Sequence, residues 1–154
     1  TYGDGENGFD DHTSSHQLTA MNLYGKSKLI FDQWAEDLPP TSNWWGLKFF
    51  NVYGPNEYFK GPQASMVFKA TKQIAENGGL RLFRSHREGF KDGEQLRDFI
   101  YVKDVTRWMW EIYTQRPPSG IYNMGTGKAQ SWLDLANSVF KSLGKEPHCR
   151  GARR

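Results

Sequence analysis

Tyr24 and Lys28 lie four residues apart in the stretch Leu23-Tyr24-Gly25-Lys26-Ser27-Lys28. On a helix that spacing stacks the two side chains on one face. A phenol beside an ammonium is a route to a proton-transfer group at neutral pH. A free phenol titrates near ~10, and bringing one to ~7 takes about 4 kcal/mol of preferential phenolate stabilisation. Nearby positive charge can supply it. Taken alone, the pair reads more plainly as a packing tyrosine and a solvated lysine, because two-residue patterns match by chance.

The elements that would position the pair follow from pattern and punctuation. Residues 3–20, rich in Gly, Asp, Asn, Ser, Thr and His, form a long loop, a kind that is usually functional or disordered. A helix is predicted over 22–37, with Asn22 as its cap, Leu23, Ile30, Phe31, Trp34 and Leu38 recurring at helical spacing, and Pro39-Pro40 as its stop. The apolar run 44–50 predicts a buried strand leading into a turn at Asn51-Val52-Tyr53-Gly54-Pro55. In α/β sheets ligands collect at that end of a strand. A loop with Glu57, Lys60 and Gln63 comes next, then a helix over 64–77 closed by Gly78-Gly79. Short strands at 80–83, 98–101 and 121–124 alternate with helices at 102–115 and from Ser131, where Asp134 completes a capping-box pattern. This alternation predicts α/β architecture. The basic stretch 145–154 carries no pattern and is expected to be frayed.

Composition narrows the classes. The chain has 154 residues, 37% hydrophobic and 15% aromatic, which is a globular composition with material for one core. A net charge of +3 does not argue for nucleic acid. The six Trp and seven Tyr fall at helix and strand positions that read as core. Cys149 is the one cysteine, so no intrachain disulfide can form and a reducing, cytoplasmic compartment is expected. His148 beside it lacks further ligands at useful spacing, so no metal site is expected. There is no apolar run of ~18 residues, so neither a transmembrane helix nor a membrane partner is expected. The chain opens on Thr1 rather than Met and reads as the interior of a longer protein.

Four motifs now stand in order: Tyr24-x-x-x-Lys28, Phe49-Phe50-Asn51-Val52-Tyr53-Gly54-Pro55, Arg97-Asp98-Phe99-Ile100-Tyr101-Val102-x-Asp104-Val105, and Gly120-Ile121-Tyr122-Asn123-Met124-Gly125-Thr126-Gly127. The set resembles the extended short-chain dehydrogenase/reductases that act on nucleotide sugars. Over roughly residues 1–144, Tyr53 to Gly61 with Ala64-Ser65, and Leu82 to His86 with Phe90 to Phe99, look more narrowly like the ADP-heptose 6-epimerase family. The resemblance implies the C-terminal part of a Rossmann-type fold with its smaller substrate-binding lobe. Residues 1–55 would supply the last strands and catalytic helix of the dinucleotide domain, 56–144 the substrate lobe with returning Rossmann elements, and 145–154 an irregular tail.

The resemblance also implies roles. An enzyme-held NADP, or NAD, oxidises the sugar carbon transiently, and acid/base groups act on its two sides. Tyr24 matches the family's proton-transfer tyrosine, and Lys28 the lysine that tunes it and binds the nicotinamide ribose. Val52 matches a residue at the cofactor, and Lys60 the second acid/base group. Asn51, Pro62, Lys69, Phe83, Arg84, Ser85, His86 and Arg97 match substrate-binding positions, the last five around the nucleotide end of an ADP-heptose. Arginine forks suit a diphosphate. Pro62 and Lys69 depart from the residues usual there. No Gly-x-x-Gly-x-x-Gly turn is present, and the family's catalytic Ser would lie before Thr1. A full-length protein of this kind is expected to be a homo-oligomer. A sugar 4-epimerase or 4,6-dehydratase, or a non-catalytic α/β binding module, are the alternatives.

Overall fold

The computed structural model describes residues 2, 3, 5, 7–82, 84, 85, 89 and 91–150. In chain order the elements are α1 (Leu23–Glu36), β1 (Trp45–Phe49), β2 (Asn51–Tyr53), α2 (Met66–Asn77), β3 (Leu80–Arg81), β4 (Leu96–Tyr101), α3 (Val102–Gln115), β5 (Gly120–Met124), β6 (Ala129–Ser131), α4 (Trp132–Ser142) and β7 (Cys149–Arg150). Short 3-10 turns occupy Ser15–Gln17 and Gly61–Gln63. The mixture is the expected α/β class. The chain divides into two compact units, Thr1–Phe49 with Trp108–Met124 and Phe50–Arg107 with Gly125–Arg154.

In the first unit β1 and β5 run parallel, Trp45 opposite Gly120 through Phe49 opposite Met124. The Asn22 side chain accepts the Gly25 N–H at 2.8 Å and starts α1 where the cap was expected. Leu29 packs with Tyr2 and Leu18. The Glu36 carboxylate accepts from the Ser14 hydroxyl and the Ser15 N–H, both at 2.9 Å, so the expected long loop is tied to the end of α1. Lys48 on β1 reaches Asp32 on α1 at 3.0 Å, with both side chains largely buried.

The apolar residues of α1 depart from expectation. Its buried residues are Gly25, Leu29 and Ala35. Leu23 is 85% exposed, and Ile30, Phe31 and Trp34 are exposed as well. Trp110 and Tyr113 on α3 and Tyr58 in the loop after β2 are also exposed, so not all the aromatics are core. Helical spacing identifies a stripe, but which face is buried depends on what packs against it.

In the second unit β2 pairs parallel with β4, and β4 pairs antiparallel with β6. β2 occupies residues expected as a turn. The core gathers Ala70 and Ile74 of α2, Leu80, and Trp132, Leu135 and Phe140 of α4. Ser65 caps α2 by accepting the Phe68 N–H at 3.1 Å, and Gly78 in the left-handed region ends it. Ser131 and Asp134 form the capping box foreseen at α4. Replacing Ser131 by Ala is expected to cost about 1 kcal/mol, read as a lower urea midpoint at unchanged slope.

Of the stretch 145–154 expected to be frayed, 151–154 lie outside the described residues, and 145–150 are tied down. Lys145 Nζ donates to the Ile74 carbonyl at 2.9 Å, the Leu80 N–H donates to the His148 carbonyl, and β7 pairs parallel with β3. Strand pairing is a long-range contact and leaves little trace in a two-residue pattern.

Candidate active site

The first group of candidate residues is on α1. Tyr24 and Lys28 do share a face, with Lys28 Nζ 5.4 Å from the centre of the Tyr24 ring. Both side chains are exposed. Tyr24 is the second residue of the helix. The Ser27 hydroxyl donates to the Tyr24 carbonyl at 2.8 Å and steadies that first turn. Tyr2, in the core of the same unit, is buried instead. Tyr2 is pushed up to about 12, chiefly by burial and further by Asp11, against the opposing effect of its Asn123 hydrogen bond. Its hydroxyl stays protonated and donates to Asn123 Oδ1 at 2.7 Å.

The second group is in the other unit, on β2 and in the loop that follows it. Asn51 and Val52 lie on β2, opposite Phe99 and Ile100 of β4. Asn51 is exposed and Val52 partly buried. The loop from β2 to α2 then carries Lys60, which precedes the 3-10 turn and has an exposed side chain. The two departures from the family pattern meet here, since Lys69 Nζ donates to the Pro62 carbonyl. Gly61 and Lys69, with the Tyr58 and Phe68 rings, Lys72 and Arg81, line a groove of about 1000 Å³.

Of the residues matched to the nucleotide end, Phe83 and His86 lie outside the described residues. The Arg84 carbonyl accepts from Gln95 Nε2 at 2.9 Å, and the Ser85 N–H donates to Asp92 at 2.8 Å. The Arg97 guanidinium folds onto the Leu96 carbonyl at 2.6 Å, and its side chain is exposed.

Two buried carboxylates were not singled out from sequence. Glu57 is 4% exposed and accepts the Ser65 N–H at 2.6 Å, the Ser65 hydroxyl at 2.7 Å and the Gly54 N–H at 3.2 Å. Asp98 is 9% exposed and accepts the Thr126 N–H and hydroxyl and the Gly127 N–H. The available signal was an acidic residue in each motif next to a turn, which does not say what it will bond.

Burial is the largest influence on Glu57 and pushes its carboxyl up. The hydrogen bonds from Ser65 and Gly54, with the Lys60 charge, outweigh it and leave the group below its usual 4.5. A lowered folded value gives stability that is present above about 4.5 and lost as pH falls through the folded value. Glu57→Gln is therefore expected to flatten the acid limb of the stability-against-pH curve, measured by urea midpoints between pH 6 and 3. An unchanged limb would show that Glu57 is not one of its carriers.

For a nicotinamide dinucleotide, the exposed Tyr24 hydroxyl and Lys28 ammonium on one face are donors of the kind a nicotinamide ribose needs. No Gly-x-x-Gly-x-x-Gly segment occurs in the sequence for the pyrophosphate. Among the described residues Asp10, Asp11 and His12 can each bring a ligand atom within 4.8 Å of the others. Asp10 accepts the His12 N–H and Asp11 the Asn123 N–H, which gives both carboxylates a role in holding the loop. No helix among the described residues is long and apolar enough to cross a membrane.

Known proteins bear on these sites. The family described as "NAD dependent epimerase/dehydratase family" matches residues 1–125. An ADP-L-glycero-D-manno-heptose-6-epimerase of Fusobacterium nucleatum is 52% identical over 146 residues, covering 92% of this chain and 44% of its own. One of Nitratidesulfovibrio vulgaris is 49% identical over 148 residues, covering 96% and 46%. Among solved structures, the Helicobacter pylori ADP-L-glycero-D-manno-heptose-6-epimerase superposes with TM-score 0.77 at 29% identity, over 97% of this chain and 46% of that one. The Thermus thermophilus UDP-glucose 4-epimerase, solved with NAD, shares the fold with TM-score 0.75 at 23% identity, over 98% and 47%. The chain thus spans about half the length of the curated relatives it matches. The ordered motifs and the match over residues 1–125 lead to one conclusion: this chain belongs to the NAD dependent epimerase/dehydratase family.

Proposed function

We propose that the chain carries the proton-transfer and sugar-binding half of an ADP-heptose 6-epimerase, which converts ADP-D-glycero-D-manno-heptose to ADP-L-glycero-D-manno-heptose for lipopolysaccharide core synthesis. The observation that carries the reading is the Tyr24/Lys28 pair at the start of α1. The similarity to the Fusobacterium enzyme supports the substrate. When bound, the NADP proposed here supplies a hydride acceptor that returns the hydride; NAD is the alternative.

In this reading the chain's own groups move protons and hold the sugar. The Tyr24 hydroxyl exchanges a proton with the hydroxyl on the heptose carbon that inverts. Lys28 is assigned to the Tyr24 phenol and to the nicotinamide ribose, and Val52 would be among the residues that hold the cofactor. Inversion needs a second group on the other side of the carbon, and Lys60 is assigned that role. Asn51, Pro62 and Lys69 are assigned to the sugar. Arg84, Ser85 and Arg97, with Phe83 and His86, are assigned to the ADP, whose diphosphate suits arginine donors.

The test is a graft in which this chain's residues replace the matched segment of the Fusobacterium nucleatum relative. Offered ADP-heptose and UDP-galactose side by side, the graft is expected to epimerise ADP-heptose. Preference for UDP-galactose would overturn the substrate assignment. The 154-residue chain alone is expected not to turn over ADP-heptose, because its sequence holds no glycine-rich turn for the dinucleotide. Turnover by the purified chain would refute that.

A further inference from the structure

We propose that Glu57 is a positioning residue that sets where Lys60 stands, by closing the loop between β2 and α2. The proposal rests on the assignment of Lys60 as the second acid/base group. The loop leaves β2 at Tyr53 and enters α2 at Met66, and Lys60 lies between. One carboxylate joins its two ends. Glu57 Oε1 accepts from the Gly54 N–H and the Ser65 hydroxyl, and Oε2 from the Ser65 N–H. The main chain adds a tie to Lys60 itself, whose N–H donates to the Glu57 carbonyl at 3.0 Å.

The loop's backbone supports a single closed shape. Gly54 has φ +158, and a Cβ there would come within 2.4 Å of Val102 Cγ1, so the chain leaves β2 hard against the start of α3. Asn56, with φ 67, lies in the left-handed region, where asparagine is among the tolerated residues. Ser65 donates its hydroxyl to Glu57 and accepts the Phe68 N–H with the same oxygen, so the clamp is continuous with the cap of α2. A buried carboxylate with three donors has a defined orientation and holds the backbone from which the exposed Lys60 side chain extends. Misplacing a reacting group by about 1 Å can cost ~100-fold in rate. The clamp matters to chemistry for that reason.

The experiment combines the whole chain with the graft. In the chain, Glu57→Gln puts an amide donor against the donors of Ser65, and hydrogen exchange at the Gly54 and Ser65 amides should accelerate. In the graft, the same change should lower kcat by ~10- to 100-fold while KM for the nucleotide sugar stays within ~3-fold. Ser65→Ala removes one of the three donors and should fall between the two, which keeps the test available if Glu57→Gln does not fold. A kcat within twofold of the parent for a folded Glu57→Gln overturns the proposal, and where that variant does not fold the same result for Ser65→Ala does. Lys60→Met separates it from the reading on which it rests. If Lys60→Met turns over like the parent graft, the Lys60 assignment fails and the positioning proposal with it. If Lys60→Met is inactive while both clamp variants are unaffected, only the positioning proposal fails.

Discussion

Tyr24→Phe in the graft is expected to lower kcat by about 10³-fold with KM for the nucleotide sugar little changed. A positioned acid/base group typically contributes ~10²- to 10⁴-fold, and 10³-fold corresponds to about 4 kcal/mol of transition-state stabilisation. Phenylalanine keeps the ring and removes only the hydroxyl. Tyr24 is 70% exposed, so its hydroxyl carries no buried hydrogen bond whose loss would unfold the helix. The Tm of the variant graft should match the parent, which separates a catalytic loss from a stability effect. Lys28→Met should act in the same direction and also raise KM for the dinucleotide, because the ammonium is assigned both to the phenol and to the ribose. A Tyr24→Phe graft that keeps more than about a tenth of the parent kcat would remove Tyr24 from the chemistry. The family membership would stand, since it rests on the match over residues 1–125.

Asp98→Ala is expected to destabilise the chain by about 2 kcal/mol. The carboxylate accepts the Thr126 hydroxyl at 2.7 Å, the Gly127 N–H at 2.8 Å and the Thr126 N–H at 3.0 Å. Removing it leaves the Thr126 and Gly127 N–H groups without their acceptor in residues that water reaches, which puts each loss at the ~1 kcal/mol end of the usual range. Gly125 brings the turn close against this carboxylate. A Cβ on Gly125 would already lie 2.8 Å from Asp98 Oδ2 and 2.7 Å from the Phe50 ring. Asp98→Asn should recover part of the loss, because one oxygen still accepts. The urea midpoint of the purified chain measures both, and a loss under about 1 kcal/mol for Asp98→Ala would show that water replaces the carboxylate. The same residue explains the neighbouring arginine. Side chains alternate along β4, so the strand that takes Asp98 inward leaves Arg97 exposed.

These two residues differ in how far the sequence reveals them. Tyr24 and Lys28 form an i,i+4 pair, and once Asn22 caps the helix their shared face follows from local geometry. The capping box at Ser131 and Asp134 and the left-handed stop at Gly78 were legible for the same reason. Asp98 and Glu57 were visible as letters within motifs, but their partners are Thr126, Gly127 and Ser65, reached only when the chain folds back.

By itself the sequence determined the α/β class, the positions of the four helices, the order of the motifs and hence the family. Each depends on short-range periodicity, turn chemistry or the succession of residues along the chain. Only the tertiary structure decided that the apolar stripe of α1 is exposed while Leu29 is buried, that β2, β6 and β7 exist as paired strands, and that Glu57 closes the loop bearing Lys60. Strand pairing and carboxylate clamps join residues far apart or in irregular backbone, where no period marks the partner. The face a helix buries is likewise set by its neighbours in space, which local spacing does not encode.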